Sequence, residues 1–138
     1  MTRTNPSNQH DQESTKMTES FQLAGISLDC DDPGLLARFY KDLLGGQMVW
    51  NNERSAGIRL PSGLTIIAQK VTGYTPPPWP GTSIVHLDLA ANADLDECEK
   101  RALRCGATQL SDQPDPRWRV LLDPAGHPFC ITTCTPPS

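Results

Sequence analysis

Trp118-Arg119-Val120-Leu121-Leu122-Asp123-Pro124-Ala125-Gly126-His127-Pro128-Phe129-Cys130-Ile131-Thr132 reads as strand, tight turn, strand. Pro124 fixes φ near −65° and Asp123 can bond back to its own backbone, so Asp123-Pro124 opens a turn. Gly126 supplies the positive φ that a side chain resists. The apolar runs on either side are short, as paired strands require. About sixty residues earlier the same grammar occurs in Ile58-Arg59-Leu60-Pro61-Ser62-Gly63-Leu64-Thr65-Ile66-Ile67. The chain therefore reads as one motif used twice.

Working outward, the rest of the sequence divides into two matching halves. Phe21 to Asp29 alternates as a first strand. Asp32 is placed to cap a helix that Pro33 begins, and Gly45-Gly46 ends it. Leu35, Leu36, Phe39, Tyr40, Leu43 and Leu44 form its apolar stripe. Short strands follow at Gln47 to Trp50, Ser55 to Leu60 and Leu64 to Val71, which gives βαβββ over residues 21–71. Residues 72–82 are rich in Pro and read as an extended, semi-rigid connection. Within it, Trp79 is placed either to lid a cavity or to cover a dimer surface.

The second half spans residues 83–133. Its first strand, Ser83 to Ala90, puts Ile84, His86 and Asp88 on one face and Val85, Leu87 and Leu89 on the other. Asn92 is placed to cap a second helix, whose buried stripe is Leu95, Cys98, Ala102 and Cys105 and which Gly106 ends. Strands at Ala107 to Leu110, Arg117 to Leu122 and Pro128 to Thr133 complete a second βαβββ. The expected class is α+β, with a single domain over residues 21–133.

Composition bounds what lies outside this unit. Residues 1–20 hold almost no large apolar side chain and are expected to be a disordered tail, and residues 134–138 a second tail. The first segment has no apolar core and does not read as a signal peptide. No run approaches the ~20 apolar residues of a membrane span. The net charge is −4 and the basic residues are scattered, which argues against a nucleic-acid partner. The 5 cysteines follow no zinc or redox spacing and read as reduced thiols in a cytoplasmic protein.

The two βαβββ modules, Asp32-Pro33 with Phe39-Tyr40 and Leu44-Gly45, Val85-His86-Leu87-Asp88-Leu89, Cys105-Gly106-Ala107 and the closing Asp123 to Cys130 together resemble the glyoxalase/bleomycin-resistance (vicinal oxygen chelate) superfamily. The nearest likeness is to its compact bacterial glyoxalase-like domains. The resemblance covers Phe21 to Thr133 and implies curved sheets cupping a shared cavity, with a homodimer frequent. It also implies a divalent-metal site with one His, Gln or Glu from each of the first, fourth, fifth and eighth strands. Those positions fall near Ala24 or Gly25, at Gln69, at His86 and at Cys130. The first offers no ligand, and Gln with His and Cys is an unusual zinc set, so no metal and no other cofactor is expected.

Three functional readings remain open, because fold alone does not decide among them. One is a metal-independent domain that binds a small organic molecule. Another is a metal-independent lyase, isomerase or dehydratase, with His86 as general acid or base and Asp88 or Gln69 orienting it. The third, a divalent-metal lyase or dioxygenase, ranks last on the ligand set. The expected cavity is bordered by Gln69, His86, Asp88 and Cys130, with Trp50 or Trp118 as aromatic wall; His86 and Asp88 are the candidate catalytic pair. Core packing is the simpler role for Trp50, Trp118, Cys98, Cys105 and Cys130, and a turn role for Asp123. A homodimer is expected, with Tyr74 and Trp79 offering an apolar edge.

Overall fold

A computed structural model describes residues 21–81, 85–91 and 93–132. The expected tails, and the segment around Ile84, therefore lie largely outside the described residues. Among the described residues, ten elements run in the order β1 (Gly25–Cys30), α1 (Pro33–Leu44), β2 (Gln47–Asn51), β3 (Ser55–Arg59), β4 (Thr65–Lys70), β5 (Leu87–Ala90), α2 (Leu95–Cys105), β6 (Thr108–Gln109), β7 (Trp118–Leu122) and β8 (Pro128–Thr132). They form two four-stranded mixed sheets of identical plan, β1-β4-β3-β2 and β5-β8-β7-β6, each with one parallel pair. The duplication read from the sequence is thus an architectural one.

Local chemistry sets the helix ends. The Asp32 carboxylate accepts from the Leu35 N–H at 3.2 Å, Pro33 follows, and Gly45 closes α1 in the left-handed region at φ 79°. The cap of α2 differs from expectation. Asp94, not Asn92, accepts from the Glu97 N–H at 3.3 Å, because it sits three residues before that donor. Asn92 lies outside the described residues.

The helices cover one face of each sheet, and one core runs through both modules. Leu36, Phe39 and Tyr40 of α1 meet Ile58 and Ile66 of the first sheet and Leu121, Phe129 and Ile131 of the second. Arg101 of α2 reaches across to the last turn of α1, where it donates to the carbonyls of Leu43 at 3.0 Å and Asp42 at 3.1 Å.

The two turns are the same structure. Gly63 N–H bonds to Leu60 O and Leu60 N–H to Leu64 O; Gly126 N–H bonds to Asp123 O and Asp123 N–H to His127 O. Counting from Gly63 and Gly126, Leu60 and Asp123 are equivalents, yet one is apolar and the other a buried acid. Asp123 accepts from the Tyr40 hydroxyl at 2.7 Å and from the N–H groups of Ala125 and His127 at 2.9 and 3.0 Å. The turn therefore bolts the second module to the first helix. The Pro-rich connection packs on the same turn, with the Tyr74 hydroxyl donating to Ala125 O at 2.7 Å. His127 Nε2 donates to Asp29 O at 2.7 Å, a further tie to β1.

Two strand starts move inward from the expected positions. β1 begins at Gly25 and leaves Phe21 and Leu23 exposed, since β4, its ladder partner, begins at Thr65. β5 begins at Leu87, opposite Phe129, so Val85 lies before the strand and is exposed instead of facing the helices. Leu87 and Leu89 do pack on the core.

Candidate functional site

The register of β5 and β8 builds the site. Asp88 pairs with Cys130 in the parallel ladder, and Cys130 pairs with Val120 on its other side. Trp118 stands opposite Thr132. Side chains alternate across a strand, so Asp88, Cys130, Thr132, Val120 and Trp118 share the face turned away from the helices. His86, two residues before Asp88, joins them. Trp79 from the connection and Pro114 from the loop before β7 roof this face, and together these residues line a cavity of about 400 Å³.

Within it, His86 Nδ1 lies 3.6 Å from Asp88 Oδ1, close for an ion pair but long for a hydrogen bond. The indole of Trp79 stands edge-on to the imidazole, with ring centres 6.4 Å apart. Burial pushes the Cys130 thiol pKa up, and the Asp88 carboxylate, which accepts its hydrogen bond, adds to the effect. The Arg117 guanidinium lies 5.2 Å from the centre of the Trp118 ring, and Asp115 grips it at 2.9 Å through both carboxylate oxygens. The hydrogen bonds from Arg117 hold the Asp115 carboxyl down at about 2. The aromatic wall is thus braced from behind.

Of the residues singled out in the sequence, His86, Asp88, Cys130 and Trp118 come together here. Gln69 and Trp50 do not line this cavity. Gln69 faces away from α1 as its strand phase requires, between Asp29 and Ser55, but it does so on the first sheet. Trp50 lies over Gly57 on that sheet and donates from Nε1 to Ser55 Oγ at 2.8 Å. It remains 37% exposed, so core packing is not its role. Strand phase names a face and not a sheet, which is why the reading merged the two surfaces. Val120 and Thr132 were legible by alternation from Cys130; Pro114 carried no signal.

Register also aligns the modules residue by residue. Thr65 and Pro128 each lie two residues past their turn glycine, so Gly25, Ser27, Ile67 and Gln69 are the counterparts of His86, Asp88, Cys130 and Thr132. The first module carries none of the donors of the second.

A family model described as the glyoxalase-like domain matches residues 25–132. The chain belongs to the glyoxalase-like domain family. This glyoxalase-like domain also resembles solved structures. A glyoxalase-related enzyme from Fulvimarina pelagi is 24% identical, with 82% of this chain and 88% of that one covered at a TM-score of 0.58. The fosfomycin resistance protein FosX from Mesorhizobium loti is 15% identical, covering 85% and 94% at 0.63. A mutant of FosX from Listeria monocytogenes, complexed with Mn(II) and 1S,2S-dihydroxypropylphosphonic acid, is also 15% identical, covering 85% and 92% at 0.62. At such identities the likeness is one of fold. No curated protein matches the sequence. No helix among the described residues is long and apolar enough to cross a membrane.

The four-position metal set implied by the superfamily does not fit this domain. Gly25 has no donor, and the place in β4 that matches Cys130 in β8 is taken by Ile67 and not by Gln69, so the first sheet offers no ligand at either position. What the domain does bring together is His86, Asp88 and Cys130, whose donor atoms all lie within 4.8 Å of one another.

Proposed function

We propose that this glyoxalase-like domain binds a small organic molecule in the cavity over its second sheet. The supporting observation is convergence: two indoles, a proline and Val120 wall about 400 Å³ whose floor holds His86 and Asp88. Apolar walls with a few placed polar groups are the usual make-up of a ligand site. Among the described residues the lining includes no Lys or Arg, which disfavours a phosphonate or another strong oxyanion held by cations. A fragment screen by NMR tests this reading. The ring signals of His86, Trp79 and Trp118 should shift together on binding, with Trp50 unmoved. A pattern centred on Trp50 and Gln69 would place the site on the first sheet instead.

A metal-independent lyase or isomerase is the second reading, and one contact favours it. Asp88 Oδ1 sits 3.6 Å from His86 Nδ1, within ion-pair reach of a protonated ring, which leaves Nε2 for a ligand. Gln69 is too far placed, on the other sheet, to share that task. Turnover of any bound fragment, lost in His86→Ala while binding persists, would move the assignment to this reading.

We also propose a homodimer. Tyr74 and Trp79, expected to offer its apolar edge, are turned inward onto Ala125 and His86. One exposed apolar patch lies on the first sheet, where Val49 and Trp50 stand on β2 with Trp50 over Gly57. Sedimentation at micromolar concentration should show twice the 15.1 kDa chain mass, and Trp50→Asp should shift it to monomer. A monomer in the unmutated protein would refute the proposal.

A further inference from the structure

We infer, taking the cavity over the second sheet as the binding site, that its ligand is an organic cation, a protonated amine borne on a flat apolar body. Asp88 is the one acid among the described lining residues, which include no Lys or Arg. Burial and the neighbouring carboxylate push the Cys130 thiol above its ordinary 9.0, so it stays protonated and adds no second charge. In the free protein the Asp88 side chain is 69% exposed and keeps its water. A ligand that fills the cavity strips that water away. A neutral occupant would leave the carboxylate desolvated with no counter-charge, and an anion would face it directly; both weaken binding. An ammonium offsets the loss, since it brings the opposite charge and a set of N–H donors. The carboxylate has room for it. Cys130 donates to Asp88, which takes one of the several lone-pair positions on its two oxygens. His86 Nδ1, 3.6 Å away, is too far for a hydrogen bond. A neutral imidazole there is a second acceptor beside the first.

Two indoles complete the recognition. Trp79 and Trp118 both line the cavity, and Trp79 stands edge-on to His86 with ring centres 6.4 Å apart. Indole is the aromatic ring that attracts a cation most strongly, and its area packs equally well on the flat body that carries the charge. Arg117 already lies 5.2 Å from the Trp118 ring centre, but Asp115 meets its charge through both oxygens at 2.9 Å. Arg117 is not part of the lining. The adjoining recess shares Trp79 and Pro114 with the cavity and adds another acid, Asp112. The surroundings are thus acidic, which draws a cation in. Repetition of the fold does not explain the acid, because the places of His86 and Asp88 are taken by Gly25 and Ser27 in the first module.

Titration of the full chain with 2-phenylethylamine, 2-phenylethanol and 3-phenylpropionate, followed by the indole and imidazole NMR signals, tests this. The three probes share a ring and a short chain and differ in the charge of the end group. The amine should bind about tenfold tighter than the alcohol, the scale of one charge-assisted contact, and the carboxylate should bind weakest. Asp88→Asn keeps the shape of the side chain and removes its charge. It should bring the amine down to the affinity of the alcohol and leave the alcohol within about twofold, which shows that the cavity is still folded. An amine that binds no tighter than the alcohol, or a preference that survives Asp88→Asn, would overturn the proposal. So would a carboxylate that binds tightest, since protonated His86 would then supply the charge that is read. Alcohol binding that shifts Trp79 and Trp118, with no gain for the amine, would overturn the cation and leave the cavity reading standing. Silence of all three probes would overturn the cation as well, and the fragment screen alone would then decide the cavity.

Discussion

Replacing Asp123 with alanine should destabilise the domain by roughly 3 kcal/mol, because it strands several buried donors at once. Asp123 is 2% exposed and accepts three hydrogen bonds, from the Tyr40 hydroxyl and from the N–H groups of Ala125 and His127. A neutral hydrogen bond contributes about 1 kcal/mol net, but a buried donor left without an acceptor costs about 1–3 kcal/mol. Tyr40 cannot swing to water, since it is wholly buried beside Phe39. For a domain of this size the melting midpoint should fall by at least about 10 °C. Tyr40→Phe removes a single partner, so it should cost only about 1–2 kcal/mol. Equal losses in the two variants, read from urea midpoints, would show that the turn itself needs no acid.

The same carboxyl sets a pH signature. Burial raises the Asp123 pKa above its ordinary 3.8, against the opposing pull of the hydrogen bond from Tyr40 and those from the backbone. Between the unfolded and folded values the native state keeps a proton that the unfolded chain has lost. Stability from this group is therefore full below about pH 4 and declines as pH rises through the folded value. Exposed Asp115, with its pKa held low, acts in the opposite sense. The difference between wild type and Asp123→Asn isolates the buried group, and it should favour the wild type most at the acid end.

These contacts mark what the sequence could reveal and what it could not. Caps, glycine stops and alternation are local, so both helices and the βαβββ order were legible from a few residues each. The strand phase of His86 and Asp88 was legible for the same reason, since a one-residue slip would have buried the acid under α2. The Tyr40–Asp123 bond joins residues 83 apart, and nothing in either neighbourhood announces it. Tyr40 read as one more stripe residue and Asp123 as a turn former, each true and incomplete. Gln69 and Trp50 show the other limit: strand phase names a face but not the sheet, and both stand on the first sheet. The repeat itself held the remedy: aligning Gly63 with Gly126 shows that Gln69 matches Thr132 and not Cys130.

The two tryptophans on opposite sheets give the last prediction. Trp118→Ala should lower the affinity of the tightest cavity fragment by about 30-fold or more, the loss expected when a central aromatic anchor is truncated. The indole supplies one whole wall, and Arg117 stacked behind it holds that wall in one orientation. A pre-set wall costs the ligand little ordering on binding, so its loss removes both contact and pre-organisation. Arg117→Ala should accordingly produce a smaller loss of about threefold, felt through a looser Trp118. Trp50→Ala should leave affinity within about twofold, because the ring lies over Gly57 on the first sheet and does not line the cavity. The comparison should be made by fluorescence titration at two protein concentrations. If Trp50→Ala and Gln69→Ala both weaken binding, and more so on dilution, the first sheet must enter the site from a second chain. The cavity of one chain would then be half of the binding site, and the repeated register of the two modules would be the reason the halves fit.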